Sequence, residues 1–525
     1  MYQRGNEDLT NTEELDKSLK AVAKGAGIIF VGMIIGKVLG MVNNILLARF
    51  LEPSKYGLFS LGLTVVEFLA IIGVFGLTSG VTRFIPYYHA ENRDDKVKHA
   101  IRFSLKFSLI LSVILAIVLF LLSDQIACLV FKDNRLKIVL QIFSIALPFY
   151  TINQITPAIF RGFGNAKYRV LTQDIMLRLI KISAFILFVY FGYLLYGALA
   201  AFIVGTIVTL GISLYLVQKK LFPIFGSNIK TKDASVGREL LSFSWPLLIG
   251  GFSYIFYTQT DRLLLGFFKT SEDIGIYTAG SQISHLVTFV LPSFAFLFLP
   301  VMSELYSKKK IQDFSSLYKS ITRWIFLITL PLFLFFLFFP EEIILLLFGS
   351  LYISGATVLR ILAFAFFVNA SVGLTWDTLV AMGKTKFVMI TQGAGAVTNV
   401  ALNLLLISPF GIEGAAIGTA CGIIIMNIMQ LIVIYRSIRF HPYDKQYLKI
   451  FAIAILIMFL ITTTIWLFIK QIPCWSVLII FPIYFVLYMA FVIKIKYLQR
   501  EDKMILKTIQ EKTGIRLKFL DRFFD

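Results

Sequence analysis

The chain has 525 residues, of which 58% are hydrophobic and 15% charged, against about 25% charged in an average soluble domain. No stretch between its apolar runs exceeds about 25 residues, which excludes an added soluble domain of ordinary size. The net charge of +20, from 50 basic and 30 acidic residues, would suggest nucleic acid in a soluble chain; here the positive-inside rule accounts for it and no nucleic-acid partner is expected.

Residues 1–24 are polar and acidic, so they read as a cytoplasmic tail and not as a cleavable signal peptide. Apolar runs of the ~20 residues needed to cross a bilayer then follow one another along the chain. The first six spans are expected at about 25–48, 57–80, 101–122, 137–160, 169–191 and 195–217. The next six fall at about 243–266, 275–302, 320–340, 356–381, 387–408 and 412–435, and a last pair at about 447–469 and 475–494. Residues 495–525 mix isoleucine, leucine and phenylalanine with lysine and arginine, as in an interfacial amphipathic helix or a solvated charged tail. With fourteen spans, roughly 37 Lys and Arg fall on the side of the two termini and roughly 7 on the other, which makes both termini cytoplasmic. Cys128, Cys421 and Cys474 lie in or beside apolar runs at no metal-ligand spacing, so neither a disulfide framework nor a metal site is expected.

The chain repeats itself at an offset of about 218 residues. Leu46-Leu47-Ala48-Arg49-Phe50, with Gly57 to Gly62 after it, matches Leu264-Leu265-Gly266-Phe267-Phe268, with Gly275 to Gly280 after it. Gly164 to Lys167, running on to Thr172-Gln173, matches Gly383 to Lys386, running on to Thr391-Gln392. Gly197, Ala201 and Gly205 share their spacing with Gly414, Gly418 and Gly422. One unit holds six spans, an even number, so both copies enter the membrane in the same direction. The expected fold is an all-α membrane protein of fourteen transmembrane helices, with two parallel six-helix lobes (25–242 and 243–440) around a central cavity and two C-terminal helices (441–494).

A charge at mid-bilayer costs about 2.5–3.5 kcal/mol, so each one asks for a role. Lys37 lies near the centre of span 1, one step off the stripe Gly32, Gly36, Gly40. It reads either as a ligand for an anionic group or as the partner of a carboxylate such as Glu67 in span 2. Span 5 carries Asp174, Arg178 and Lys181; the first two are one turn apart and suited to pair, leaving Lys181 as net positive charge facing inward. Asp261, Arg262 and Arg360 lie towards outer span ends, where each could line the cavity or sit at the interface. Asn369, Asn399, Asn403, Asn427 and Gln430 suit sugar hydroxyls or a cation, and equally suit hydrogen bonds between helices. His285 is a candidate proton relay or a packing histidine. Cations lead modestly among these groups, which favours a phosphate-bearing or acidic solute over a cationic drug.

The segment Ala48-Arg49-Phe50-Leu51-Glu52-Pro53-Ser54-Lys55-Tyr56-Gly57 is similar to the loop after span 1 of the polysaccharide transporter family, the Wzx-type oligosaccharide flippases of the multidrug/oligosaccharidyl-lipid/polysaccharide exporter superfamily. Phe160 to Asn165 resembles the family's loop after span 4, and Ala381 to Thr385 is its echo. The resemblance runs from about Gly25 to Lys494. It implies a plasma-membrane flippase that moves an oligosaccharide, linked by phosphate or pyrophosphate to a polyprenol, from the cytoplasmic to the outer leaflet by alternating access. It also implies that the lipid tail stays in the bilayer along a groove by spans 13 and 14, and that Lys37 plays the part of the basic residues of span 1. Expected partners are the lipid-linked glycan, membrane lipid, and glycosyltransferases or a polymerase of the same pathway, with the chain a monomer. No cofactor or enzymatic activity is expected, and the sequence holds no Gly-x-x-x-x-Gly-Lys-Ser/Thr loop for ATP. A drug or small-molecule antiporter of the same superfamily is the alternative reading. A membrane glycosyltransferase is disfavoured because the outer loops are short and Asp124, Asp133 and Glu341-Glu342 form no acid–base pair.

Overall fold

The structure is a computed structural model that describes residues 2–224, 234–443, 445–468 and 473–494. Every regular element among them is helical. The first half of the chain supplies α1 (Tyr2–Val74), α2 (Leu77–Ala90), α3 (Asp94–Gln125), α4 (Leu136–Gly162), α5 (Ala166–Arg169), α6 (Leu177–Tyr190) and α7 (Leu195–Leu216). The second half supplies α8 (Ala234–Thr258), α9 (Thr260–Phe268), α10 (Ser271–Ser284), α11 (Leu291–Ser307), α12 (Ile311–Phe338), α13 (Pro340–Leu347), α14 (Gly355–Ser371), α15 (Thr375–Ala381) and α16 (Thr385–Ile438). Two further helices follow, α17 (Lys445–Phe468) and α18 (Val477–Lys494). The expected amphipathic tail, 495–525, lies outside the described residues.

Ten helical stretches among the described residues are long and apolar enough to cross a bilayer. Two of the ten change direction internally. α1 breaks at Glu52, whose backbone is left-handed (φ 64°), just before Pro53, which has no amide hydrogen to donate. α16 breaks at Gly411 (φ 56°), two residues after Pro409. The expected second span, about 57–80, is therefore one limb of α1 to Val74, then a kink at Phe75-Gly76 and a second helix to Ala90. Two expected spans are not among the ten, the first of them because it carries too many charges. Residues 166–190 pass through a π-helical segment, Val170–Met176, and residues 234–268 break at Gln259. Both interruptions fall beside intramembrane charges, where broken helices commonly build binding sites.

The repeat is visible as matched backbone. Gly164 (φ 67°) and Gly383 (φ 71°) turn the chain in the same left-handed conformation, which a side chain at either position would strain. The first repeated segments also touch each other. A Cβ at Gly57 would lie 1.6 Å from the Ser271 carbonyl oxygen, and a Cβ at Gly275 would lie 2.0 Å from the Pro53 carbonyl oxygen. Pro53 and Ser271 are themselves about 218 positions apart, so the contact is reciprocal, as at a two-fold axis. Around it, Tyr352 donates to the Ala48 carbonyl (2.7 Å), Arg49 Nε to the Leu347 carbonyl (2.7 Å), and Ser271 to Asp133 (2.6 Å). Thr270 and Asp273 form a capping box that fixes where α10 starts. The two halves are thus closed on each other at the Glu52 end of the bundle. α17 and α18 pack on α12, with Tyr488 donating to the Leu327 carbonyl (3.1 Å) and Phe481 against Phe335 (4.8 Å).

Candidate functional site

The glycine stripe of α1 determines how near the charged segment can approach. A Cβ at Gly32 would lie 2.0 Å from Val170 Cγ1, and one at Gly36 would lie 2.2 Å from Arg178 Nη1 and 2.8 Å from Asp174 Cβ. Only glycine lets the π-helical segment and the first turn of α6 lie flat on α1, the close-approach geometry by which helices associate in lipid. Asp174 and Arg178 then pair as expected, at 3.8 Å, with Arg178 Nη1 also donating to the Asp174 carbonyl at 3.0 Å.

Beyond this pair opens a cavity of about 320 Å³ whose lining includes Asn43, Asn44, Glu67, Arg178, Lys181 and Phe202. All of its lining comes from α1, α6 and α7, in the first half of the chain. The Lys181 ammonium stands 3.8 Å from the centre of the Phe202 ring, a cation–π contact worth about 0.5–2 kcal/mol. That is less than the cost of a charge at mid-bilayer, so Lys181 needs further negative charge. Glu67 is close enough to act on it electrostatically.

Glu67 has a different main partner from the one expected. It accepts a hydrogen bond from Gln259 Nε2 at 2.9 Å, and Gln259 Oε1 accepts one from Arg262 Nη1 at 2.7 Å. This relay crosses from α1 to the break between α8 and α9, joining the two halves across the centre. Sequence reasoning missed Gln259; its signal was a polar Thr258-Gln259-Thr260 cluster inside an apolar span. Arg262 lies in this relay. Asp261 is buried beside it, accepting from Tyr277 and from the Arg262 amide (2.9 Å). Lys37 is exposed and lies within electrostatic reach of Arg178 and of His285, which is also exposed and belongs to the other half. The His285 ring packs against Phe366, with centroids 4.3 Å apart.

Three expected site residues stand apart. Arg360 is directed to the surface, with Nη2 3.5 Å from Glu341 and Nε donating to the Leu337 carbonyl (3.4 Å), so it does not join the central group. Asn399 and Asn403 are fully buried between the limbs of α16. Asn399 donates to Thr419 (2.9 Å) and Asn403 donates to Asn399 (3.0 Å). Gly418 and Gly422 face them so tightly that a Cβ would lie 2.6 Å from Asn403 Oδ1 and 3.0 Å from Asn399 Cβ. Asparagine at these positions bonds helix to helix.

The sequence pattern of the family described as polysaccharide biosynthesis protein matches residues 22–306, and that described as MatE matches residues 246–405. The chain belongs to the polysaccharide biosynthesis protein family. A Shigella flexneri relative that carries the name putative O-antigen transporter is 23% identical over 388 residues, covering 72% of this chain and 89% of the relative. Among solved structures, the lipid II flippase MurJ in an inward closed conformation superposes with a TM-score of 0.71 at 15% identity, over 89% of this chain and 98% of that one. An inward-facing multidrug resistance MATE family transporter of the MOP superfamily superposes with a TM-score of 0.68 at 17% identity, over 79% and 98%. Those two likenesses establish a MOP-type transporter fold.

In this member of the polysaccharide biosynthesis protein family the two copies of the repeat carry different chemistry at matched positions. Gly205 packs on Lys181 in the first copy, and Gly422 packs on Asn399 in the second. Glu67 and His285 stand at the same offset of about 218 residues, as do Asn44 and Arg262. A lysine over an open cavity in one half is a buried asparagine between closed helices in the other.

Proposed function

We propose that this protein flips a polyprenyl-phosphate- or pyrophosphate-linked oligosaccharide from the cytoplasmic to the outer leaflet by alternating access. The observation that carries the reading is the cavity of the first half. Its lining cations, Arg178 and Lys181, face Glu67 and the Asp174 that pairs with Arg178, and with Lys37 and the Arg262–Asp261 neighbours nearby the cations lead by one. An excess of preorganised positive charge in a low-dielectric site suits a phosphate or pyrophosphate group. The family match and the relative named for O-antigen transport support the same substrate class.

Fourteen spans follow if the ten long stretches are counted with the two internal breaks and the two interrupted helices. Two six-helix lobes, 25–242 and 243–440, with 441–494 outside them, are consistent with the reciprocal Gly57–Gly275 contact. With both termini cytoplasmic, the closed Glu52 end is the outer face and the cavity opens inward. Lipid II flippase MurJ and the MATE neighbour, both solved in inward conformations, agree with that state. Transport proceeds when the head group neutralises the cations and the halves rock about the axis, opening the Glu52 end, while the lipid tail remains in the bilayer beside α17 and α18. The protein works as a monomer alongside the glycosyltransferases or polymerase of its pathway.

The test is translocation of a fluorescent polyprenyl-pyrophosphate-linked glycan in proteoliposomes. Lys37→Ala and Lys181→Ala are each expected to slow it about tenfold or more, the cost of one charged hydrogen bond, while inserting normally. Wild-type rates from both variants would falsify the cavity-ligand role. The MatE match favours one second reading, an ion-coupled small-molecule antiporter. It predicts drug efflux without glycan flipping in the same vesicles.

A further inference from the structure

A second concavity lies outside this machinery. It is a lateral groove of about 730 Å³ between α3, the first turns of α8 and the α1–α2 kink. One wall is a column on α3, where His99 stacks on Phe103 (6.4 Å) and Phe103 on Phe107 (5.8 Å). Phe75, at the kink, closes the deep end against Phe107 (5.5 Å). The other wall is one face of α8, with Arg238 exposed at its start and Leu241 and Trp245 following at helical spacing. From His99 to Phe107 the column descends about 12 Å. Half of a ~30 Å hydrocarbon core is about 15 Å, so the column matches the depth of one acyl chain in one leaflet.

The groove is polar and cationic at one end and aromatic along the rest, with an exposed tryptophan in its wall. A free anion would find no use for the aromatic column; a zwitterionic lipid offers the same phosphate but carries its own cation beside it, which the exposed Arg238 repels, so a lipid of net negative charge fits better. We propose that the groove is a site for an anionic phospholipid, its phosphate held between Arg238 and His99 and one acyl chain lying along Phe103 and Phe107. The leaflet, cytoplasmic, rests on the orientation proposed above; the preference for anionic lipid does not. The site also has a mechanical consequence. α3 and the start of α8, the helix that runs across residue 242 into the second lobe, meet where a Cβ at Gly237 would lie 2.7 Å from Phe103 Cε2. A lipid bridging these walls favours the conformation in which they touch, so the surrounding anionic lipid biases the transport cycle.

The experiment uses the whole chain in nanodiscs containing phosphatidylglycerol or phosphatidylcholine with brominated acyl chains. The fluorescence of Trp245 is read as the difference between wild type and Trp245→Phe. The expected result is half-quenching at about fivefold lower mole fraction of phosphatidylglycerol than of phosphatidylcholine, lost in Arg238→Glu and kept in Arg238→Lys. Equal quenching by both lipids, or quenching indifferent to Arg238→Glu, would reduce the groove to ordinary lipid contact. Quenching relieved by polyprenyl phosphate and not by unbrominated phosphatidylglycerol would reassign it to the carrier lipid. No glycan is present in any arm, so these outcomes are independent of whether the protein flips one.

Discussion

Glu67 illustrates how a single side chain serves two demands. Its carboxylate balances Lys181 and, through Gln259, restrains Arg262 from the other half. Neutralising it removes the carboxylate that acts on Lys181. Glu67→Gln is therefore expected to tighten binding of the anionic head group about five- to tenfold and to slow turnover, a divergence of KM and kcat measurable in proteoliposomes. At the closed end, Asp133 is the titratable group to follow. Burial pushes its carboxyl up, but hydrogen bonds from Arg135 and Ser271 outweigh it and hold the pKa below the usual aspartate value. A depressed pKa places the stabilisation above the unfolded value and removes it as pH falls through the folded one. Distances between spin labels across the Glu52 end should stay constant from pH 7 to about 4 and lengthen only below that.

At the scale of elements, glycine placement decides which helices touch. The stripe on α1 admits the π-helical segment, and any branched side chain there forces α6 away from Lys37. Gly36→Val should destabilise the protein by about 1–3 kcal/mol, read as a lowered melting temperature in detergent. Gly393, where an added Cβ would meet no atom within 4 Å, is the control; Gly393→Ala should leave melting unchanged. Two of the elements that carry central charge also depart from regular α-helix. The Val170–Met176 segment and the Gln259 break re-aim side chains that a straight helix would spread round its circumference.

For the whole molecule, the reciprocal Gly57–Gly275 contact is the point at which the proposed transport cycle would separate the halves. Gly57→Val places atoms inside the Ser271 carbonyl, so the closed state becomes unreachable. A cysteine at position 37, in a background lacking Cys128, Cys421 and Cys474, reports the consequence. In the otherwise wild-type protein it should react with an impermeant thiol reagent only from the cytoplasmic side, and with Gly57→Val from the outer side as well.

The sequence by itself determined the solvent of this protein, its helical class, its internal duplication and most of the charged residues at its centre. Hydropathy and charge costs act locally along the chain, so a bilayer leaves them legible in order: Asp174 and Arg178 could be paired from their spacing alone. Only the tertiary structure decided which polar groups face an open cavity and which are used up between helices. Lys181 and Asn399 occupy matched places in the repeat, and no local pattern distinguishes the cavity of one from the closed interface of the other. Gln259 became visible only when the break in its helix brought it to Glu67, a partner 192 residues away. That contact depends on how the two halves close, which is a property of the assembled bundle and not of any one span.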